Sequence, residues 1–320
     1  MTVPGALSLQ RDLREGGRWS IAQRAKNDVI YGVARATLAL LSPWSARWLR
    51  AAGRWLGRVA YVLFPGARRL TQANLARGLP DLSVQDRTRM AREVYIELGG
   101  CLGDTVALLS PGRAWTPLPM DEASRGVLEA AVREGRGVVF VSAHLGPWEW
   151  VAASLVAAGV ALTTVAREGY DPRFTKLLDK LRGRLGVRAI YRGSRGAHVR
   201  IVRTLREGGV LGMPMDLRSR VPSILVPFLG HLAETPVGPA RIALRTGAAV
   251  VVGTAAPAST GGATETTQGL QITATRIETV GLLASEDGEK ALTVAINAEL
   301  SRRILAMPRR WVWMHPRWAA

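Results

Sequence analysis

The chain has 320 residues, 48% of them apolar and 21% charged, which suits one large domain with a substantial core and excludes a disordered, collagen-like or coiled-coil protein. A single cysteine, Cys101, excludes an intrachain disulfide and any cysteine zinc cluster. The net charge of +18 leads one to expect an anionic neighbour, and phospholipid headgroups, phosphorylated substrates and nucleic acid are the candidate classes.

Residues 1–28 read as a polar amino-terminal extension without the apolar segment of a signal peptide. Val29 to Leu41 is apolar but carries Arg35 and stops at Ser42-Pro43, short of the roughly 20 residues a spanning helix needs. From Ser45 to Phe64, a step of about 100° per residue puts Arg47, Arg50, Arg54 and Arg58 on one stripe. Trp48, Trp55, Leu56, Val59, Val62 and Leu63 fall opposite. Such a helix can lie in a bilayer interface, its apolar face among acyl chains and its arginines at anionic headgroups. The same pattern suits a surface helix packed on a core.

A second helical stretch is predicted from Arg68 to Leu109, broken at Gly78-Leu79-Pro80 and restarted by a cap at Ser83. Residues 29–115 thus form a helical, membrane-associating region, and the link from Ser110 to Pro119 leads into a second region, 116–320. There, short β-branched runs at 137–143, 161–165, 187–191, 209–213 and 248–254 alternate with helical stretches at 149–158, 172–185, 197–207 and 238–246. This rhythm predicts an α/β fold with a mostly parallel central sheet flanked by helices. Chemistry in such sheets sits at the carboxyl ends of the strands.

The strongest candidate there is Val141 to Glu149 (VSAHLGPWE). His144 ends a strand, Gly146 permits a tight turn, Pro147 suits the first helical position, and Glu149 falls in the first helical turn. A carboxylate so placed can hold one imidazole nitrogen and leave the other to take a proton from a hydroxyl. The free N–H groups of the helix start could receive an oxyanion or phosphate. A histidine followed five residues later by an acid arises about 0.3 times by chance in this composition, so the strand-turn-helix context carries the argument. A structural histidine is the alternative. Dinucleotide, Walker, zincin and serine-hydrolase motifs are missing. Ser142 is read as pointing away from His144, so direct attack by a substrate hydroxyl is expected rather than covalent catalysis.

Phe140 to Glu149 (FVSAHLGPWE) resembles the His-x4-acid motif of glycerolipid-type acyltransferases, in the form found in the bacterial lipid A biosynthesis lauroyl/myristoyl acyltransferase family. Gly208 to Asp216, Val226 to Gly230, Glu234 to Ala249 and Pro308 to Trp318 resemble later blocks of that family in order. The resemblance implies that His144 is the general base and Glu149 its orienting partner. It also implies substrate-binding roles for Asp216 and Arg182, and Arg167 is a further candidate contact for a phosphate or pantetheine group. Each arginine is also readable as a solvated surface residue. Where the family often has a second acid, this chain has Arg218, which bears on the acceptor.

The implied protein is a membrane-associated O-acyltransferase of the cytoplasmic face of the bacterial inner membrane. It would use an acyl thioester of acyl carrier protein or CoA, need no metal or other cofactor, and act on a lipid A-type or other phosphorylated glycolipid. Anionic membrane lipids are expected partners and nucleic acid is not. The rival expectations are a lysophospholipid, mannolipid or amino-acid-lipid acyltransferase of the same superfamily, and a non-enzymatic basic membrane- or nucleic-acid-binding protein.

Overall fold

A computed structural model describes residues 18–258 and 269–318. Among these residues four helices come first: α1 (Ile21–Leu41), α2 (Ala46–Leu63), α3 (Pro65–Gly78) and α4 (Val84–Leu109). Helix α1 starts within the segment read as a polar extension, where Ser20 caps it by accepting from the Gln23 N–H, and Ser83 caps α4 in the same way through Asp86. The break at 78–80 and the restart at Ser83 are as predicted.

The face of α2 that turns inward is the basic one. Arg50 is buried and pairs with Asp104 and, at 3.3 Å, with Glu97 of α4, while Arg54 also pairs with Glu97. Glycines let the two backbones meet: a Cβ on Gly53 would collide with the Gly99 carbonyl, and one on Gly57 with that of Tyr95. The apolar face is left outside, with Trp48 59%, Trp55 60%, Val62 66% and Leu63 65% exposed. The expected arrangement, with all four arginines outward at headgroups, is therefore corrected at Arg50 and Arg54, because two buried acids on α4 draw them in. Among the described residues no helix is long and apolar enough to cross a membrane.

The remainder is a mixed α/β unit. After α5 (Glu122–Arg133) come β1 (Val138–Ser142), α6 (Trp148–Ala157), β2 (Leu162–Ala166), α7 (Pro172–Gly183), β3 (Arg188–Tyr191), α8 (Ala197–Arg206) and β4 (Val210–Pro214). A hairpin, β5 (Ser223–Phe228) and β6 (His231–Pro236), precedes α9 (Gly238–Thr246), β7 (Ala249–Pro257), β8 (Leu270–Ile277) and α10 (Glu286–Ala306). The five predicted strands are β1, β2, β3, β4 and β7. The sheet has the order β3-β2-β4-β1-β7-β8, parallel except for the antiparallel β7–β8 edge. Its central strands are Val-rich and buried on both faces, as parallel strands covered by helices must be.

Strand order sets the position of the site. The chain leaves β1 toward β2 and leaves β4 toward β7, so connections depart from these two neighbours in opposite directions and open a crevice beyond their carboxyl ends. The closing segment, Pro308 to Trp318, runs back to that crevice. Trp311 and Trp313 are fully buried, and the amide of Asn74 on α3 donates to the carbonyls of Trp313 and His315, both at 2.8 Å. Arg310 reaches Glu97 at 3.4 Å, which ties the closing segment to the α2–α4 pair.

Candidate active site

Pairing of β1 with β4 sets Ser142 opposite Pro214, so two residues beyond each strand end His144 stands beside Asp216. Asp216 is fully buried. One of its oxygens, Oδ2, accepts from the His144 backbone N–H at 2.9 Å and from the indole N–H of Trp311 at 2.8 Å, while Oδ1 faces the imidazole Nδ1 at 2.9 Å. Burial alone would raise this carboxyl, but the charge of His144 and these hydrogen bonds hold it below the usual carboxylate range. An ionised carboxylate only accepts, so Nδ1 carries the proton and Nε2 keeps its lone pair.

The imidazole itself is pushed above its ordinary value. Burial would lower it, but the charge and hydrogen bond of Asp216, with the charge of Glu149, outweigh burial. Its ring packs edge-on against Trp148, with centroids 5.3 Å apart. With 30% of its side chain exposed, His144 lines an open cavity of about 700 Å³. Carbon-rich walls from α6 and β2, including Val151, Leu155, Leu162 and Val165, line that cavity, together with Leu178 of α7 and Met213 of β4.

The hydrogen bond expected between Glu149 and His144 is not the one formed. Glu149 lies in the first turn of α6, as predicted, but its carboxylate is held by the Arg182 guanidinium through both oxygens, Nε donating to Oε2 at 2.8 Å. A planar guanidinium matches a carboxylate in this two-point way, and both partners are largely buried, with side-chain exposures of 18% and 10%. Glu149 thus acts on His144 by its charge alone, and Arg182 is occupied by Glu149 rather than by an anion. Asp216, expected at a substrate, is the partner of the imidazole.

Two further expectations change. The turn after His144 does use Gly146 in the left-handed region, at φ +62°, but its N–H donates to the Arg310 carbonyl at 2.9 Å and the Trp148 N–H donates to the Gly146 carbonyl at 3.1 Å. Those two donors are already committed. Ser142 lines the same cavity as His144, because the strand ends at Ser142 and the cavity lies beyond that end, where Ala143 lines it too. Cys101 is buried on α4 and its thiol is pushed up to about 12 by burial and by Asp104, which removes it as a nucleophile.

Arg167 directly follows β2, as predicted, and lines the cavity with Arg192, which directly follows β3. The sequence reading missed Arg192, and it assigned no role to Trp311 within the closing block that it had singled out. Among the described residues no group of histidine, cysteine and acidic side chains is arranged to hold a metal.

A histidine base held in one tautomer by a buried carboxylate, at the edge of an apolar cavity, can deprotonate a hydroxyl beside a hydrocarbon chain. The family model described as bacterial lipid A biosynthesis acyltransferase matches residues 24–320, and the chain belongs to that family. Among curated proteins it is similar to phosphatidylinositol mannoside acyltransferase from two strains of Mycobacterium tuberculosis. Each is 28% identical over 196 residues, which is 60% of this chain and 58% of the relative. The match therefore spans a little over half the length of those relatives.

Proposed function

We propose that this protein is a membrane-surface O-acyltransferase that moves a fatty acyl chain from a thioester of acyl carrier protein or CoA to a hydroxyl of a phosphorylated glycolipid. The observation that carries this reading is His144 in the wall of the largely apolar cavity, held from behind by the fully buried Asp216. His144 Nε2 takes the proton of the acceptor hydroxyl, and the oxygen forms a bond to the thioester carbonyl carbon. Collapse of the tetrahedral intermediate breaks the carbon–sulfur bond, and the imidazolium returns the proton to the departing thiolate. Asp216 stabilises the imidazolium and Glu149 adds its charge from a distance. The chain's own residues account for each proton, so no metal or cofactor is invoked.

The relatives' name favours a mannosylated phosphoinositide as the acceptor over a lipid A-type lipid. Membrane docking is assigned to α2 and α1, whose exposed apolar residues include Trp48, Trp55 and Leu63 on α2 and Val29, Val33 and Leu40 on α1. This supports a position on the cytoplasmic face of the bacterial inner membrane, where anionic lipids would meet the net charge of +18. A basic binding module that is not an enzyme would have no use for the His144–Asp216 arrangement.

The test is mass spectrometry of total lipids from a mycobacterial host expressing wild type or His144→Ala. A lipid heavier by one acyl chain with wild type alone is expected. Its equal appearance with His144→Ala would overturn the reading.

A further inference from the structure

Among the described residues five arginines line the cavity, and three of them are neutralised: Arg182 by Glu149, Arg218 by Glu234 at 2.7 Å and Arg241 by Glu289 at 2.7 Å. The other two, Arg167 and Arg192, make no side-chain hydrogen bond and no ion pair with any described residue. They are also neighbours. The register of β2 with β3 ends at Ala166 with Tyr191, and the Arg192 N–H donates to the Ala166 carbonyl at 2.9 Å, so Arg167 and Arg192 are the first residues beyond the ends of two adjacent strands. Strands in a sheet run about 4.8 Å apart, and parallel residues in register point to the same face. Arg192 is half-buried, and its guanidinium is held below its ordinary value first by burial and then by the charge of Arg167.

Side by side at the cavity rim, Arg192 half-buried and Arg167 exposed, these like charges repel each other, and an anion between them relieves that repulsion. Elsewhere in the same cavity the protein supplies the counter-charge itself. Here it does not. Resting on the acyl-transfer reading above, we infer that Arg167 and Arg192 form a site for the phosphate ester of a substrate, which positions that substrate beside His144. The phosphate has two sources: the headgroup diester of the acceptor lipid, or the phosphopantetheine arm of the donor. Two guanidinium forks on neighbouring strands suit a tetrahedral phosphate, which accepts from several directions.

The experiment measures binding to full-length protein by titration calorimetry, without turnover, for two probe pairs: glycerophosphoinositol against inositol, and pantetheine 4′-phosphate against pantetheine. In at least one pair the phosphate ester should bind tighter by about tenfold or more. The Arg167→Gln/Arg192→Gln variant should lose that preference with an unchanged melting temperature, and the Arg167→Lys/Arg192→Lys variant should recover part of it. A preference confined to glycerophosphoinositol assigns the site to the acceptor, and one confined to the pantetheine pair assigns it to the donor. No preference in wild type, or an equal preference in the Gln variant, overturns the site. The acyl-transfer reading is judged separately: a phosphate preference that depends on these arginines in a protein that transfers no acyl chain would refute that reading and leave the anion site standing. Transfer with an unchanged KM for both substrates in the Gln variant would refute the site alone.

Discussion

Replacing Asp216 with Asn tests how the imidazole is held, and the outcome follows from the hydrogen bonds at that residue. Oδ2 accepts two N–H groups, from the His144 backbone and the Trp311 indole, so the single amide oxygen of Asn will take that position. The amide NH2 then occupies the place of Oδ1 and points a donor at Nδ1. To accept it, Nδ1 must give up its proton, which moves to Nε2 and removes the lone pair that the proposed mechanism uses to take the proton of the acceptor hydroxyl. General-base catalysis is worth about 10²–10⁴-fold, and the loss in kcat should fall in that range. Because two of the three hydrogen bonds keep their direction and the third is reversed, the fold should persist, at a cost of at most about 1.5–3 kcal/mol for exchanging charge-assisted bonds for neutral ones.

The pH dependence gives a second sign to check. A base works when neutral, so wild-type kcat/KM should fall as the pH drops through the raised value of His144, above 6.5. Asp216→Asn removes the charge that raises it and leaves burial in command, so the acid limb should move to lower pH while the plateau drops. The assay is the initial rate of acyl transfer from an acyl thioester to purified glycolipid between pH 5 and pH 9. A wild-type rate and an unmoved limb in Asp216→Asn would refute the argument.

Three other outcomes are expected. Glu149→Gln leaves Arg182 largely buried without its counter-charge, which should lower unfolding stability by up to about 3–5 kcal/mol in a denaturant titration. Its loss in kcat per folded molecule should be smaller than that of Asp216→Asn. Trp48→Ser/Trp55→Ser removes two exposed indoles from α2, and at roughly 1.5–3 kcal/mol per large apolar side chain, partitioning to anionic liposomes should weaken at least about tenfold. Unchanged co-sedimentation would remove α2 from the membrane contact. Gly99→Val would force the α4 backbone away from Gly53 of α2, and such overpacking should cost about 1–3 kcal/mol, read as a lower thermal midpoint.

Much of this architecture was legible in the chain. Five β-branched runs in register with helical stretches led to the five main strands, and the turn chemistry of Gly146 and Pro147 located the site at a strand end. What the sequence could not show was strand order. Asp216 lies 72 residues from His144, and they meet only because β4 inserts between β1 and β2. Spacing along one chain favoured Glu149, the nearer acid, whereas the imidazole is satisfied across the sheet. Arg192 escaped notice for the same reason, since it becomes a neighbour of Arg167 only through the register of β2 and β3. The two faces of α2 were separated correctly by helical periodicity, but periodicity cannot say which face turns inward. Buried acids at Glu97 and Asp104 and small residues at Gly53 and Gly57 decide it.

The central claim is that His144 is the base for acyl transfer on a protein that reaches its substrate at a membrane. The most direct measurement compares purified wild type with His144→Ala, following acyl transfer to purified glycolipid and co-sedimentation with anionic liposomes on the same preparations. Loss of transfer by about 10²-fold or more with unchanged liposome binding is the predicted result. Transfer at the wild-type rate in His144→Ala would contradict it.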